Sequence, residues 1–227
     1  MSDLVADKVN MVFNTKGGGT VHALKDVSFT LKEGELLSVL GPSGCGKTTL
    51  LKILAGLLKA STGKVEAPKD TWLKKLTRRN GRVDVIYLHQ SPYLFDGSVY
   101  ENVVYGVKYQ RDNAKDKRAQ VINALRMVGL ETLADEHISV LSGGEKQRVA
   151  MARAWILKPS ILLMDEPSAS LDAESIQRLV MMAKDLLDRG SSIVITSHQT
   201  NALTDLCKKQ WWIKNKTLIE SPLLYVI

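Results

Sequence analysis

The stretch GPSGCGKTTLL, residues 41–51, decides how the rest of the chain is read. It fits the spacing G-x-x-x-x-G-K-[ST] through Gly41, Gly46, Lys47 and Thr48. Before it, ELLSVL is a short apolar run of strand type. After it, KTTLLKILAGLL has helix length, with Leu50, Leu51, Leu54, Leu57 and Leu58 recurring at helical spacing. Strand, glycine loop and helix N-terminus in that order make a cradle for phosphate. The glycines let backbone N–H groups converge on an anion, and the helix end adds partial positive charge. Lys47 can neutralise the outer phosphates and Thr48 can hold Mg²⁺.

Working outward, ILLMDEP places Asp165 and Glu166 at the end of a strand whose apolar run marks it as buried. Two adjacent carboxylates there are costly unless a cation or a reaction uses them. Beside a phosphate cradle, the first can bind Mg²⁺ directly or through water, and the second can orient and polarise a water that attacks the γ-phosphate. LSGGEKQR, residues 141–148, reads as a second helix start built to meet phosphate: Ser142 can cap the helix, and Gly143 and Gly144 permit close backbone approach. One nucleotide does not need two cradles in one chain. The expectation is that the second serves a nucleotide bound by another copy.

VDVIYL, ILLMDE and SSIVITS are apolar and rich in β-branched residues, as expected of strands buried on both faces of a mostly parallel sheet. ESIQRLVMMAKDLLDRG supplies a covering helix, with Ile176, Leu179, Val180, Ala183, Leu186 and Leu187 on one stripe and Gly190 as its stop. Between Gln90 and Leu141 the strand signal fades. SVYENVVYGV and KDKRAQVINALRMVGL read as helices separated by polar QRDNAK, which points to a helical subdomain set into an α/β core. KGGGT, residues 16–20, reads as a flexible loop.

Composition narrows the function classes. A chain of 227 residues can bury a substantial core, and one domain with an inserted subdomain is the expectation. The longest apolar runs fall far short of the roughly 18 residues that cross a bilayer, and no signal peptide pattern opens the sequence. A role at a membrane would be played from the cytoplasmic side. Cys45 and Cys207 are too few for a disulfide framework, which favours a reducing compartment. The net charge of +7 invites nucleic acid or anionic lipid, but the cations are scattered. The densest patches are TWLKKLTRR (71–79), read as the solvated face of a short helix, and KKQWWIKNK (208–216), read as a hairpin turning at Lys214, Asn215 and Lys216. No nucleic acid partner is expected.

Together, GPSGCGKTT, LSGGEKQR, ILLMDEP, SASLD and TSH, in this order and spacing, resemble the nucleotide-binding domain of an ABC transporter over essentially the whole chain. The resemblance implies an α/β fold: a P-loop NTPase core with a mostly parallel sheet, an N-terminal antiparallel β part and an inserted α-helical subdomain. As a single domain over 1–227, its RecA-like core with the β subdomain would take 1–89 and 156–227, and the helical subdomain with the signature motif 90–155. It also implies an ATPase with ATP and Mg²⁺ as cofactors, working as an ATP-dependent head-to-tail homodimer. Integral membrane permease subunits and a substrate-binding protein would be its partners, and it would sit peripherally on the cytoplasmic face of the inner membrane.

By the same resemblance, Gly41, Ser43, Gly44, Cys45, Gly46, Lys47, Thr48 and Thr49 would bind ATP, and Phe13 would stack on adenine, although MVFN is a weak motif and a core aromatic is the close alternative. Thr48, Gln90 and Asp165 would serve the metal, and Glu166, His198 and Gln90 the hydrolysis. Ser142, Gly143, Gly144 and Glu145 would meet the opposite subunit's ATP. Ser168, Ala169, Ser170, Leu171 and Asp172 would form the loop that signals between the two sites. ADEHISVLSGG lacks the proline many importers carry there, and ASTGKVEAPKD lacks the usual glycine-bearing turn. SPYLFDGSVYENVVYG resembles ATPases serving small inorganic ions, including tungstate-like oxyanion importers and a metal exporter group. With so little sequence after the WWIKNKTLIE hairpin, the C-terminal regulatory domain of sugar-importer ATPases is not expected. The alternative is a soluble ABC ATPase of DNA repair or translation. The former needs a long coiled coil that the stretch between Gln90 and Ser142 cannot hold, and the latter usually needs a second phosphate loop.

Overall fold

Three runs of sequence are buried along their whole length, and they make the centre of the molecule: β3 (Leu36–Leu40), β6 (Ile161–Met164) and β7 (Ser192–Ser197). The computed structural model describes residues 3–66, 85–107, 114–169 and 171–221; the basic stretch 71–79 and Ser170 lie outside the described residues. With β5 (Val85–Leu88), β8 (Lys209–Lys214) and β9 (Thr217–Ser221) they form a six-stranded sheet in the order β5-β6-β7-β3-β8-β9. All neighbours in it are parallel except β8 and β9. A second, antiparallel sheet takes β1 (Leu4–Asn14), β2 (Thr20–Leu31) and β4 (Thr62–Glu66) in the order β2-β1-β4.

Because side chains alternate along a strand, each central strand feeds two cores. Leu162, Met164, Ile193 and Ile195 face one core with α2 (Val99–Val104), α3 (Ala114–Met127), α4 (Gly143–Ile156) and α5 (Ala173–Asp188). Ile161, Leu163, Val194, Leu37 and Val39 face the other, with α1 (Lys47–Leu54) and the antiparallel sheet. Each such aliphatic side chain contributes on the order of 1.5–3 kcal/mol by leaving water, so a strand buried on both faces is held in one register. The strand ends that carry the candidate residues inherit that rigidity.

Two helix ends follow the glycine logic, one as expected and one earlier. α5 stops where Gly190 takes φ 82 and its N–H donates to Leu187 O at 2.8 Å. α1 stops at Leu54, so Leu57 and Leu58 are not part of it: Gly56 takes φ 70 and Leu57 N–H folds back on Lys52 O at 2.9 Å. Leu57 is left 65 % exposed. The β8–β9 hairpin turns through Asn215 and Lys216, both at positive φ, the geometry that matches strand twist.

The chain leaving Gln90 is tied to the chain approaching Ser142 by main-chain hydrogen bonds: Ile138 N–H to Gly97 O (3.0 Å), Val99 N–H to Glu136 O (2.9 Å) and Tyr100 N–H to Ala134 O (2.8 Å). The buried Asn102 side chain adds bonds to both the N–H and the O of Phe95. No helix among the described residues is long and apolar enough to cross a membrane.

Candidate functional site

β3 ends at Leu40, and the chain reaches α1 through Gly41 (φ 153), Gly44 (φ 73) and Gly46 (φ 115). Gly46 is required twice over: its φ is left-handed, and a Cβ there would lie 2.6 Å from Ala23 O of β2. α1 therefore starts with no side-chain cap and no acidic residue in its first turn. Ser43, Gly44 and Thr48 are exposed, Thr49 is half-buried, and Lys47 is buried at 4 %. Cys45 is half-buried against the α1 core, its Sγ leaning over Gly41.

The Lys47 ammonium donates to Gly41 O at 2.7 Å and Pro42 O at 3.1 Å, and pairs with Glu166 Oε1 at 3.1 Å. Its three N–H donors are thereby matched by three acceptors. Glu166 follows β6 at φ 46, an uncommon conformation for a residue with a side chain. Its Oε2 accepts from Gln90 Nε2 at 3.3 Å and lies 3.6 Å from His198 Nδ1. Lys47, Gln90, Glu166 and His198, four residues singled out in the sequence, thus meet at one carboxylate.

Asp165 is 1 % exposed and is held by two hydroxyls. Thr196 on β7 donates to its Oδ1 at 2.7 Å, and Tyr87 on β5 donates to its Oδ2 at 3.0 Å. Burial, with the Asp165 charge beside it, pushes the Tyr87 phenol well above its ordinary pKa, so it stays a donor. Sequence reasoning missed both. The available signal was a hydroxyl among the apolar residues of each strand, Tyr87 in VIYL and Thr196 after the run IVI in SIVITS.

Ser142 caps α4 with a complete capping box: Glu145 N–H donates to Ser142 Oγ at 3.3 Å, and Ser142 N–H donates to Glu145 Oε2 at 2.8 Å. The Ser142 hydroxyl donates to the same carboxylate at 2.8 Å, and these bonds hold Glu145 below the usual glutamate range. A Cβ on Gly143 would meet nothing within 4 Å, so the backbone there faces open space. In the following loop, Ala169 N–H donates to Glu166 O at 3.2 Å, Leu171 N–H to Ser168 O at 3.3 Å, and Asn201 Nδ2 to Ser168 Oγ at 2.8 Å. Asp172 caps α5 through Ser175 N–H at 2.8 Å, and the Ser175 hydroxyl and N–H together lower its pKa; this cap and Asn201 were not anticipated. Phe13 is 40 % exposed on β1 opposite Val21, two residues along β2 from the carbonyl that abuts Gly46.

A family model described as ABC transporter matches residues 24–169. A taurine import ATP-binding protein of Pelagibacter ubique is 43 % identical over 202 residues, which are 87 % of this chain and 73 % of that protein. A sulfate/thiosulfate import ATP-binding protein of Methylococcus capsulatus is 39 % identical over 83 % of this chain and 56 % of its own length. A bacterial ABC transporter cassette solved as a dimer has a TM-score of 0.85 at 28 % identity, covering 97 % of this chain and 98 % of that one. Its post-hydrolysis dimer, bound to ADP and Pi, has a TM-score of 0.83 at the same identity and coverage. The phosphate-loop geometry, the carboxylates behind it and these likenesses agree: the chain belongs to the ABC transporter family.

Proposed function

We propose that this chain binds ATP at the loop 41–49 and hydrolyses it at Glu166 to power a membrane importer of a small solute or inorganic ion. The observation that carries the reading is the convergence of Lys47, Gln90 and His198 on Glu166, beside the buried Asp165. The uncapped start of α1 offers N–H groups to the phosphates. Lys47 exchanges one of its three acceptors for phosphate oxygen, and releasing Glu166 leaves that carboxylate free to take a water's proton. His198, partly exposed at the end of β7, lies on the γ-phosphate side, and Phe13 stacks on the base.

Thr48, Asp165 and Gln90 carry hard oxygen donors, and among the described residues no three His, Cys, Asp or Glu side chains gather to hold a metal alone. That set suits Mg²⁺, which keeps waters and takes phosphate oxygens as its other ligands. Bound there, Mg²⁺ neutralises charge that develops on the phosphates. Ser142 to Glu145 of a second copy close over the nucleotide in a head-to-tail dimer, and Ser168 to Asp172 link the two sites. The helical part, 90–155, meets the permease. Tyr93, 78 % exposed, is stacked edge-on with Phe95, and the Arg153 guanidinium lies over Phe95, beside the exit from Gln90. The cytoplasmic membrane face and a substrate-binding protein complete the assembly. The relatives named above are import subunits, which favours this reading over DNA repair or translation.

Glu166→Gln tests it. ATP should still bind, hydrolysis should fall by about 10³-fold or more, and ATP-bound dimer should accumulate in light scattering at saturating nucleotide. A variant that hydrolyses at the parent rate removes Glu166 from its role.

A further inference from the structure

We infer that the Tyr87 and Thr196 hydroxyls form a two-sided clamp that presents the Asp165 carboxylate to a hydrated divalent cation, with Thr196 also fixing the backbone of Glu166. The inference rests on the proposed reading of Asp165 as a cation residue. β5 and β7 flank β6 in the sheet, so each contributes one donor from its own side. Thr196 is fully buried, and its hydroxyl accepts Glu166 N–H at 2.9 Å while donating to Asp165 Oδ1 at 2.7 Å. A hydroxyl has one hydrogen, and with Glu166 N–H taken on one lone pair that hydrogen is given to Asp165. The chain amide, hydroxyl, carboxylate is therefore oriented as a unit.

Tyr87 ties the other oxygen at 3.0 Å. With one donor on each oxygen, the carboxylate plane is held against rotation, and each oxygen keeps a second lone pair to offer. The amide anchor matters for the next residue too, because it helps hold Glu166 at φ 46, the backbone from which its side chain reaches Lys47, Gln90 and His198. Hydroxyls that hold a metal-facing carboxylate act as outer-shell groups, whose loss typically costs about 10–100-fold in metal affinity.

The probe is Mn²⁺, titrated into the full chain carrying one equivalent of a non-hydrolysable ATP analogue and read as loss of the free-ion signal by electron paramagnetic resonance, after subtracting the loss that the analogue alone causes. Thr196→Val keeps the shape and removes the hydroxyl, and it should weaken Mn²⁺ binding by about 10-fold or more. Thr196→Ser restores the hydroxyl and should stay within about threefold of the parent. Tyr87→Phe, at a half-buried position, should weaken binding by several-fold and carries the test if Thr196→Val does not fold. Parent-like Mn²⁺ affinity in either Thr196→Val or Tyr87→Phe overturns the clamp, as does a Ser variant as weak as the Val variant. Asp165→Asn separates the two levels: parent-like Mn²⁺ binding in that variant overturns the cation role itself.

Discussion

The helix starts at Lys47 and at Ser142 read alike in the sequence, each a glycine-rich turn before a helix, yet they are finished differently. α1 begins on a left-handed glycine with no side-chain cap and no acid in its first turn. α4 begins on a serine locked in a capping box, with the Glu145 carboxylate already accepting the N–H and O–H of Ser142. An anion arriving at α1 finds donors waiting. An anion arriving at α4 meets a carboxylate and a hydroxyl whose hydrogen is already committed. The first is a site in the isolated chain, whereas the second becomes one only when something else brings the phosphate close. On the proposed reading, that difference gives the two ends an order of use, nucleotide on α1 first and α4 of a second copy afterwards.

Three substitutions would break or sharpen this comparison. The largest effect belongs to Ser142→Arg, which puts bulk and charge where the proposed dimer docks the opposite phosphate: turnover should fall by about 10²-fold or more while ATP affinity stays within about twofold. Equal loss of binding would mean that α4 serves its own chain's nucleotide. Lys47→Ala should do the reverse, weakening ATP binding by about 10–100-fold, the worth of a charged hydrogen bond, as measured by equilibrium dialysis. Mixing the two variants should restore at most one working site per mixed dimer. Smaller is the effect of Glu145→Gln, which keeps the capping geometry and removes the charge. In a Glu166→Gln background the ATP-bound dimer should tighten by about fivefold, the order of a helix-end charge effect, and sedimentation showing a weaker dimer would contradict the contrast drawn between the two ends.

The smallest effect is one of pH. Ser142 holds the Glu145 carboxyl below its ordinary value of 4.5, so the folded chain binds that proton less readily than the unfolded chain. The cap's stabilisation is complete above that value and is lost as pH falls through the lower folded pKa. Melting temperature should therefore drop with acid more steeply in the parent than in Glu145→Gln between about pH 5 and 3. Parallel curves would mean that Glu145 contributes nothing to the acid limb.

What could be read from the sequence was what local pattern controls. The buried strands, the glycine loop, the Ser142 cap and the Asn215–Lys216 turn each rest on residues a few positions apart, where steric and capping rules act directly. α1 was read too long because Leu57 and Leu58 kept the helical spacing while Gly56 ended the helix, and spacing alone does not weigh a left-handed glycine. Tyr87 and Thr196 were missed for another reason. Their partner, Asp165, is distant in sequence and becomes a neighbour only when β5, β6 and β7 align. The engagement of Lys47 with Glu166 is likewise a product of the assembled sheet: residues chosen separately for phosphate and for water turn out to hold each other.

The joint between residues 97–100 and 134–138 has a consequence for how such a molecule can be mapped. Its bonds run between main-chain N–H and C=O groups, so replacing any one side chain by alanine leaves every one of them in place. A side-chain scan would pass over it as silent even if it carried all the motion between the exposed Tyr93–Phe95 patch and Ser142. Only edits to the backbone reach it. Val99→Pro deletes the N–H bound to Glu136 at the first helical position of α2, where proline is tolerated, and an amide-to-ester change at Ile138 deletes the one bound to Gly97. Apart from Gly97, held at φ 141, a joint of this kind asks for no particular side chain to make its bonds, so the mechanical link can persist while its neighbours in sequence change.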